Sequence, residues 1–435
     1  MQKLAIAALV LCSLGTAEVV AAQTSSSPAA KRTLVRAGRL LDVKSGKLVD
    51  AQTLVVAGGA IQSIAPTAQV AAQPGDTVID LGALTVLPGL IDVHTHLTSN
   101  TDFDPYQELI VTTGREAING VANARTTLLA GITSVRNVGA GGYTDVDLRD
   151  AINSGQVPGP HMLVSGPAIG ITGGHCDDNL LPFQYHQVGD GVADGISGVQ
   201  HMVRQNIKYG ADLIKICATG GVLSKGDDPQ ASQFTLEEMQ AIVADAHRLG
   251  RKVAAHAHGA QGILWATEAG VDSIEHGSYI NDEAIAEMKK RGTYLVPTIY
   301  LEDWIVEKGN LPPFYHQKMI DVIAVAKNNL RHAIQSGVKV AMGTDAAVYP
   351  HGLNAHELDV YVNQMGMSPL AALQTATIHA ADLMGWSAKA GTLEPGKLAD
   401  IIAVDKSPLD DIRVLQDVKF VMKAGVVYKN EVSSR

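Results

Sequence analysis

The two ends of the chain share a pattern of short hydrophobic runs. Before Pro88, runs of β-branched and aliphatic residues are separated by turn glycines, which predicts strands joined without helices. The same pattern returns at Asp400–Val404 and Phe420–Tyr428. Two strand-rich ends around a different middle predict one small β-sandwich domain, built from residues 23–88 and 391–435 together.

The middle of the chain, residues 89–390, alternates apolar runs of strand length with stretches of helical periodicity. This alternation is typical of parallel βα units. Helix starts are visible too, since Thr235-Leu236-Glu237-Glu238 has the residues of a capping box. Eight units favour a closed (β/α)8 TIM barrel, an α/β fold whose active sites lie at the C-terminal ends of the strands. The eight apolar runs are Gly89–His96, Thr133–Val138, Met162–Ile169, Ala211–Cys217, Lys252–His258, Ser273–His276, Tyr294–Thr298 and Val338–Thr344.

Composition supports a compact enzyme and excludes one class of partner. The 435 residues exceed the ~250 of a typical barrel, which leaves room for a second unit. Hydrophobic residues make up 46% of the chain and charged residues only 18%, which indicates a globular protein rather than a disordered one. The net charge of −10 does not provide the basic surface that neutralises phosphates, so nucleic acid is not an expected partner.

The first 22 residues have the features of a signal peptide. Lys3 supplies a positive charge, Leu4–Leu14 an apolar run, and Val20-Ala21-Ala22 a cleavage site of small residues. The apolar run is shorter than the ~20 residues that span a bilayer, which argues against a membrane anchor. We therefore expect export to the periplasm or the medium, a mature chain beginning near Gln23, and no membrane span in that mature chain.

Metal-ligating side chains lie at the ends of several predicted strands. His94 and His96 close the first run two residues apart, and side chains at i and i+2 of a strand point to the same face. Two imidazoles at this spacing favour a ligand pair over hydrogen-bonded core histidines. His256, His276 and Asp345 lie at the ends of the fifth, sixth and eighth runs. The pattern predicts a metal site at the barrel mouth.

Lys215 interrupts an otherwise apolar run, Leu213–Cys217. Burying an unpaired ammonium there would cost several kcal/mol, so this side chain must be neutralised, paired or chemically modified. Imidazole, carboxylate and a modified lysine suit zinc or a similar divalent ion, although manganese, cobalt and iron have compatible ligand preferences.

These motifs resemble those of the amidohydrolase superfamily over nearly the whole mature chain. Ile214-Lys215-Ile216 followed by Thr219-Gly220-Gly221 is most similar to the binuclear Xaa-Pro and related dipeptidases, and to the ochratoxin-hydrolysing amidases. The segments that carry the superfamily resemblance are Leu87–His96, Glu275–Gly277, Gly343–Asp345 and Gly391–Ile401.

The resemblance implies a binuclear metal centre. A carboxylated Lys215 would bridge two divalent ions, with zinc the expected metal, and a metal-bridging hydroxide would attack the amide carbonyl. Asp345 would accept the proton of the nucleophile and pass it to the leaving amine. The resemblance also implies a homo-oligomer. The implied ligands are His94, His96 and Asp345 for the more buried metal, and His256 and His276 for the more exposed one.

Further candidates surround this centre. By the same resemblance His175 would donate a hydrogen bond to the oxyanion. His258 stands where several of the dipeptidases carry tyrosine, so its catalytic or substrate-binding role stays open. Arg136, Lys225 and His351 are candidate partners for a substrate carboxylate, although a solvated loop explains His351 equally well.

The function predicted from these residues is hydrolysis of the amide bond of dipeptides or N-acyl amino acids, with ochratoxin A as a candidate substrate. A cyclic-amide hydrolase or deaminase of the same superfamily is the alternative, although many such enzymes lack a lysine equivalent to Lys215. Phosphoester hydrolysis is a further alternative that shares this lysine, but enzymes with that activity usually lack a β-domain built from both chain ends. A periplasmic metal- or solute-binding protein is the different-class alternative, and an acid such as Asp345 beside the metal argues against it.

Two cysteines remain in the mature chain, Cys176 after the third run and Cys217 at the end of the fourth. Adjacent strands could bring them together, and a disulfide would form only if their Cα atoms lie within ~7 Å. The sequence leaves this pairing open.

Overall fold

A computed structural model describes residues 31–100, 105–308 and 311–432. The predicted signal peptide, residues 1–22, lies outside these residues. The strands contributed by the two chain ends are β1 (Thr33–Asp42), β2 (Lys47–Ala57), β3 (Ala60–Pro66), β4 (Thr77–Asp80), β5 (Thr85–Pro88), β13 (Ile401–Val404), β14 (Phe420–Lys423) and β15 (Val426–Asn430). They form one sheet in the order β15-β14-β13-β5-β1-β2-β3, with β4 also paired to β1. The antiparallel β5–β13 pair joins the two ends of the chain.

The apolar strand β13 explains how this sheet is attached to the rest of the molecule. Ile401 and Ala403 belong to a hydrophobic core shared only by strands of the chain ends and their connections. Ile402 and Val404, on the opposite face, belong to the core of the larger α/β unit. Because both faces of the strand are buried, its sequence is continuously apolar instead of alternating.

The middle of the chain forms parallel strands that alternate with helices. The strands are β6 (Leu90–Thr95), β7 (Ile132–Asn137), β8 (His161–Val164), β9 (Leu213–Cys217), β10 (Lys252–Ala257), β11 (Ser273–His276) and β12 (Tyr294–Val296). Strands β6-β7-β8 form one parallel sheet and β9 to β12 another.

Backbone hydrogen bonds continue from the first of these sheets to the second beyond the end of β8. Ile169 N donates to the Lys215 carbonyl at 2.8 Å, and Cys217 N donates to the Ile169 carbonyl at 2.9 Å. The predicted third run, Met162–Ile169, is therefore a strand only in its first half. Its last residue still pairs with β9.

The predicted eighth strand, Val338–Thr344, is not a regular strand, but its backbone bonds to both neighbours. Leu295 N of β12 donates to the Lys339 carbonyl at 2.8 Å, and Ala341 N donates back to Leu295 at 3.1 Å. On the other side, Val93 N of β6 donates to the Met342 carbonyl at 2.9 Å. This segment connects the two sheets into the expected TIM barrel.

Helices cover the outside of the barrel. The predicted capping box is present at α5, where the Thr235 side chain accepts from Glu238 N and the Glu238 carboxylate accepts from Thr235 N. None of the described helices is long and apolar enough to cross a membrane. The helices are α1 (Pro105–Glu108), α2 (Thr113–Leu129), α3 (Thr144–Asn153), α4 (Gly195–Lys208), α5 (Leu236–Arg248), α6 (Ala260–Ala269), α7 (Asp282–Arg291), α8 (Tyr300–Lys308), α9 (Pro313–Gln335), α10 (His356–Asn363), α11 (Pro369–Thr375) and α12 (Ile378–Leu383).

Candidate active site

The C-terminal ends of the barrel strands surround a cavity of about 670 Å³. The ring centroids of His94 and His276 are 5.0 Å apart, and those of His256 and His276 are 4.7 Å apart. Ligand candidates from five strand ends are thus brought together at one place. The residues proposed from the sequence that line the cavity are His94, His96, His175, Lys215, Lys225, His256, His276 and Asp345.

Each of the four candidate ligand histidines has one ring nitrogen hydrogen-bonded to an oxygen. This bond orients the ring so that its other nitrogen faces the cavity. Carboxylate and carbonyl oxygens only accept, so the rings of His94, His96 and His256 donate to theirs. Such bonds orient imidazole ligands and set their tautomers in metal sites. The bonds are His94 Nδ1 to Glu275 Oε2 at 2.8 Å, His96 Nδ1 to the Gly139 carbonyl at 3.1 Å, His256 Nε2 to the Gly220 carbonyl at 3.2 Å, and His276 Nδ1 with Thr298 Oγ1 at 2.7 Å.

The second ring nitrogens of His94 and His96 both face one carboxylate oxygen, an arrangement that requires a cation. His94 Nε2 and His96 Nε2 lie 3.4 and 3.2 Å from the same oxygen, Asp345 Oδ1. With the Nδ1 protons of both rings already donated, neutral imidazoles would face the carboxylate with lone pairs. These groups repel unless a proton or a metal ion lies between them. Imidazole nitrogens and a carboxylate in this arrangement fit a zinc-like divalent ion.

Two of the ligand candidates have a strained backbone. His276 has φ of 70° and Asp345 has φ of 60°, in the left-handed region. In strand β11, Ser273 and Glu275 point into the barrel, so a regular strand would turn the next side chain, His276, outward. The left-handed turn at its end brings the imidazole to the cavity instead. Strain of this kind costs on the order of 1–3 kcal/mol per residue and is concentrated at functional sites.

Lys215 occupies the position expected for a modified lysine. Its side chain is buried, and its Nζ makes no hydrogen bond or ion pair with any residue that the structure describes. Burial lowers the pKa of Lys215 to about 8, against the opposing influence of Glu275 and Asp345. A buried ammonium without a direct partner is costly, so the site favours a neutral or modified side chain.

His175 is positioned by a chain of hydrogen bonds that ends at a lysine. Lys318 Nζ donates to Asp227 Oδ1 at 2.6 Å, and Ser224 Oγ donates to the same oxygen at 2.7 Å. Because the Ser224 proton is used, the 2.8 Å contact between Ser224 Oγ and His175 Nδ1 must have the imidazole as donor. Gly221 permits this packing, since a Cβ there would lie 2.2 Å from the His175 ring.

The same series of hydrogen bonds bears on the oxyanion role expected of His175. Burial lowers the pKa of His175 to about 4, so the ring is neutral near pH 7. A neutral ring that donates from Nδ1 has only an acceptor at Nε2. The imidazole therefore cannot donate to an oxyanion unless it first gains a proton.

His258 lies beside the candidate metal ligands. Its ring stacks on that of His276 with centroids 5.0 Å apart, and its Nδ1 contacts Ser278 Oγ at 2.8 Å. Nitrogen atoms of His256, His258 and His276 lie within 4.8 Å of one another and could hold one metal ion. His258 is thus a third imidazole beside the two ligands assigned from the resemblance.

Arg136 does not contact the cavity, so its expected role in binding a substrate carboxylate is wrong. Its side chain is 2% exposed inside the barrel, where NH2 donates to Glu275 Oε1 at 2.7 Å and Nε donates to the Val93 carbonyl. Burial would raise the pKa of Glu275, but Arg136 and the His94 hydrogen bond outweigh it and lower that pKa to about 2. Arg136 therefore keeps the partner of His94 ionised.

The two other candidate carboxylate partners differ in position. Lys225 is exposed and lines the cavity. His351 is not among the lining residues of the cavity, and its Nε2 contacts the Ser99 carbonyl at 3.1 Å. Of the three cationic or donor side chains proposed for a substrate carboxylate, only Lys225 is placed to reach a bound molecule.

Cys176 and Cys217 form a disulfide, with Cα atoms 6.1 Å apart. This separation is within the range that disulfides require. Cys176 follows His175, and Cys217 lies two residues after Lys215 at the end of β9. The bond therefore ties the loop that carries His175 to the strand that carries Lys215.

Sequence reasoning missed the supporting residues of the site. Glu275 was visible as a charged residue inside a buried strand, next to His276, and that signal could have identified it. Ser224, Asp227 and Lys318 gave no such signal, because the first two lie in a polar loop and the third in an amphipathic helix.

We predict that Glu275→Gln weakens metal binding by about 10- to 100-fold, as is typical when a partner of a metal ligand is lost. The new amide can donate to His94 Nδ1, which would move the ring proton to the nitrogen that faces the cavity. Competition with a chelator on folded protein measures the affinity. Glu283→Gln, at an exposed position of α7, is the control. An unchanged affinity in Glu275→Gln would contradict the assigned tautomer.

Comparison with known proteins agrees with this geometry. The model of the Amidohydrolase family matches residues 85–428. Ochratoxinase of Aspergillus niger is 34% identical over 433 residues, covering 93% of this chain and 88% of its own. A Xaa-Pro dipeptidase crystallised with methionine in its active site has a TM-score of 0.87 at 40% identity, covering 92% of this chain and 100% of its own.

A second solved structure has the same architecture. A prolidase complexed with N-methylphosphonate-L-proline has a TM-score of 0.84 at 30% identity, and the match covers 92% of this chain and 100% of the prolidase chain. The family model and the relatives all span the barrel and the strand ends that carry the candidate metal ligands. This protein therefore belongs to the amidohydrolase family and is a hydrolase that acts on amide bonds.

Proposed function

We propose that the enzyme hydrolyses the amide bond of dipeptides or N-acyl amino acids that have a free α-carboxylate. The observation that carries this proposal is the convergence of four oriented histidines, Lys215 and Asp345 at one cavity. Relatives named Xaa-Pro dipeptidase, prolidase and ochratoxinase share this fold. Ochratoxin A, in which an aromatic acyl group is joined to phenylalanine, belongs to the same chemical class and is one candidate substrate.

The proposed cofactor is a pair of divalent metal ions, with zinc favoured by the ligand types. His94, His96 and Asp345 would hold one ion, and His256 and His276 the other. Two bound dications would supply an activated water and a polarised substrate carbonyl. His258 is close enough to His276 to bind the second ion or to contact the substrate beside it.

Lys215 is proposed to bridge the two ions as N6-carboxylysine. The ammonium first loses one proton, the neutral amine attacks carbon dioxide to form an N–C bond, and a second proton leaves the nitrogen, so the cation becomes a carbamate anion. The lowered pKa of Lys215 makes the reactive amine available near neutral pH. The carbamate removes the cost of a buried ammonium and offers two oxygen ligands.

Asp345 is proposed to move the proton during hydrolysis. Its carboxylate lines the cavity beside His94 and His96, where it can accept a proton from the attacking water. It can then donate that proton to the nitrogen of the leaving amine as the C–N bond breaks. The neutral His175, with its acceptor nitrogen, can receive a hydrogen bond from the substrate.

Free carboxylate recognition is tested with a matched pair of substrates. We predict that an N-acyl amino acid is cleaved with a kcat/KM at least tenfold higher than its C-terminal amide twin, because hydrogen bonds to a charged group contribute about 1.5–3 kcal/mol. Lys225 is the lining residue assigned to the carboxylate. Steady-state kinetics on both compounds, with wild type and Lys225→Met, measures the difference.

Equal kcat/KM values for the two compounds would contradict carboxylate recognition and leave amide hydrolysis standing. If Lys225→Met still prefers the compound with the free carboxylate, Lys225 does not bind that carboxylate. Turnover of neither compound, with metal-loaded protein, would count against the proposed function itself.

We also propose that the protein is exported and cleaved near Ala22. The proposal rests on the charged start, the apolar run and the small residues before Gln23. The Cys176–Cys217 disulfide is compatible with an oxidising compartment.

A further inference from the structure

A second, smaller cavity of about 70 Å³ adjoins the metal-ligand cluster. It has six lining residues in common with the large cavity, so a substrate held at the metal ligands is in contact with both. The shared residues are His175, Leu223, His256, His276, Asp345 and Val348. The small cavity extends from them toward helices α8 and α9.

The lining of the small cavity combines seven apolar side chains with imidazole, hydroxyl and carboxyl groups, and the carboxyl group other than that of Asp345 belongs to Glu302. Glu302, on α8, is 5% exposed and lines the cavity. Its Oε2 has no hydrogen-bond partner among the described residues, although Glu302 lies in the first turn of the helix. The apolar walls are formed by Val222, Leu223, Pro297, Leu301, Met319, Val322 and Val348.

Within the described part of the chain, no cation contacts Glu302 directly. Lys327 Nζ, on α9, contacts Asp303 and Gln364 instead. Burial raises the pKa of Glu302 to about 8, partly offset by Lys327 and increased by Asp303. A buried polar group without a partner destabilises the folded protein, so a ligand that bonds to it recovers that lost free energy.

We propose that this cavity is a specificity subsite that binds the side chain of a substrate residue with a straight apolar stem and a basic tip, and that Glu302 binds the tip. Lysine is the residue that this shape and chemistry fit best. A cavity of about 70 Å³ has the volume of roughly two water molecules, which suits the end of a linear side chain and excludes an aromatic ring.

The proposal rests on the proposed dipeptidase function and names its substrate class. The apolar walls would contact the methylene groups of the stem. The carboxyl group of Glu302 would lose its proton to solvent and bond to the ammonium. Removing the ammonium from the ligand leaves the buried acid unpaired again, and sites built to bond a polar group strongly reject analogues that lack it.

The test compares lysine with norleucine, which has a similar linear stem without the ammonium. The dipeptides Ala-Lys and Lys-Ala are assayed beside Ala-norleucine and norleucine-Ala, so that both sides of the scissile bond are examined. For one position we expect kcat/KM to favour lysine by roughly tenfold or more. Glu302→Leu should abolish that preference, and Glu302→Gln should reduce it. Glu307→Gln, exposed on the same helix, should retain it.

A binding measurement separates failure of the subsite from failure of the proposed function. Calorimetry with metal-loaded protein should show tighter binding of L-lysine than of L-norleucine, and Glu302→Leu should remove the difference. If no dipeptide is hydrolysed but L-lysine is preferred, the proposed function fails and the subsite stands. The subsite proposal would be overturned if the wild type bound lysine and norleucine equally and hydrolysed their dipeptides equally. A lysine preference that persists in Glu302→Leu would overturn it as well.

Discussion

Lys215→Ala should lower kcat/KM for an amide substrate by at least about 10³-fold. Bridging of two metal ions supplies several kcal/mol of transition-state stabilisation, and each 1.36 kcal/mol corresponds to a factor of ten in rate. Alanine leaves the apolar strand Leu213–Cys217 intact, so the protein should fold. Steady-state kinetics and metal content per chain, after incubation with zinc and bicarbonate, measure the effect.

Lys252→Ala is the matched control, because that lysine lies at the start of β10, far from the barrel mouth, and is half-exposed. It should retain normal activity and metal content. Adding a short carboxylic acid to Lys215→Ala should restore part of the activity, since a free carboxylate can occupy the space of the carbamate. Near-normal rates in Lys215→Ala, or full wild-type activity with one metal per chain, would refute the bridging role.

Asp345→Asn should lower kcat for an amide substrate by about 10²- to 10⁴-fold, the range typical of a lost general acid–base group. Asparagine has the same shape and tolerates the left-handed backbone found at this position, so the loop should keep its conformation. An ester with the same acyl group should lose less activity, because an alkoxide leaves with less need of a proton than an amine does.

Proton transfer is identified by comparing the fold loss of kcat for the amide with the fold loss of kcat for the ester. Equal losses for both substrates, together with reduced metal content, would show that Asp345 acts only as a ligand. Unchanged kcat for the amide would exclude both roles. Asp282→Asn, at a 90% exposed carboxylate on α7, provides the control.

Local spacing explains why much of the site could be predicted. His94 and His96 are two residues apart at a strand end, and the pleat of a strand places such side chains on one face. Lys215 stands out because a charged side chain inside an apolar strand needs a specific reason to be there. These signals depend on a few neighbouring residues, so they can be recognised without knowledge of the fold. The (β/α)8 architecture followed in the same way from repeated local patterns.

Arg136 shows where local reasoning fails. It lies near the end of the second apolar run, which made it resemble a substrate ligand, yet its guanidinium lies inside the barrel against Glu275. The irregular eighth run is a similar case. Its apolar pattern predicted a strand, but the backbone near Asp345 leaves regular strand geometry because the carboxylate must turn toward His94 and His96.

The sequence by itself determined the barrel, the β-sheet built from both chain ends and the candidate metal-ligating residues, because hydrophobic period and strand-end position are local properties of a chain. Only the tertiary structure decided which nitrogen of each imidazole faces the cavity, the neutral acceptor state of His175 and the unpaired carboxyl of Glu302. Each of these depends on a hydrogen-bond partner, or its absence, supplied by a distant segment. Proton positions are set by the three-dimensional arrangement of donors and acceptors, which spacing along the chain does not encode.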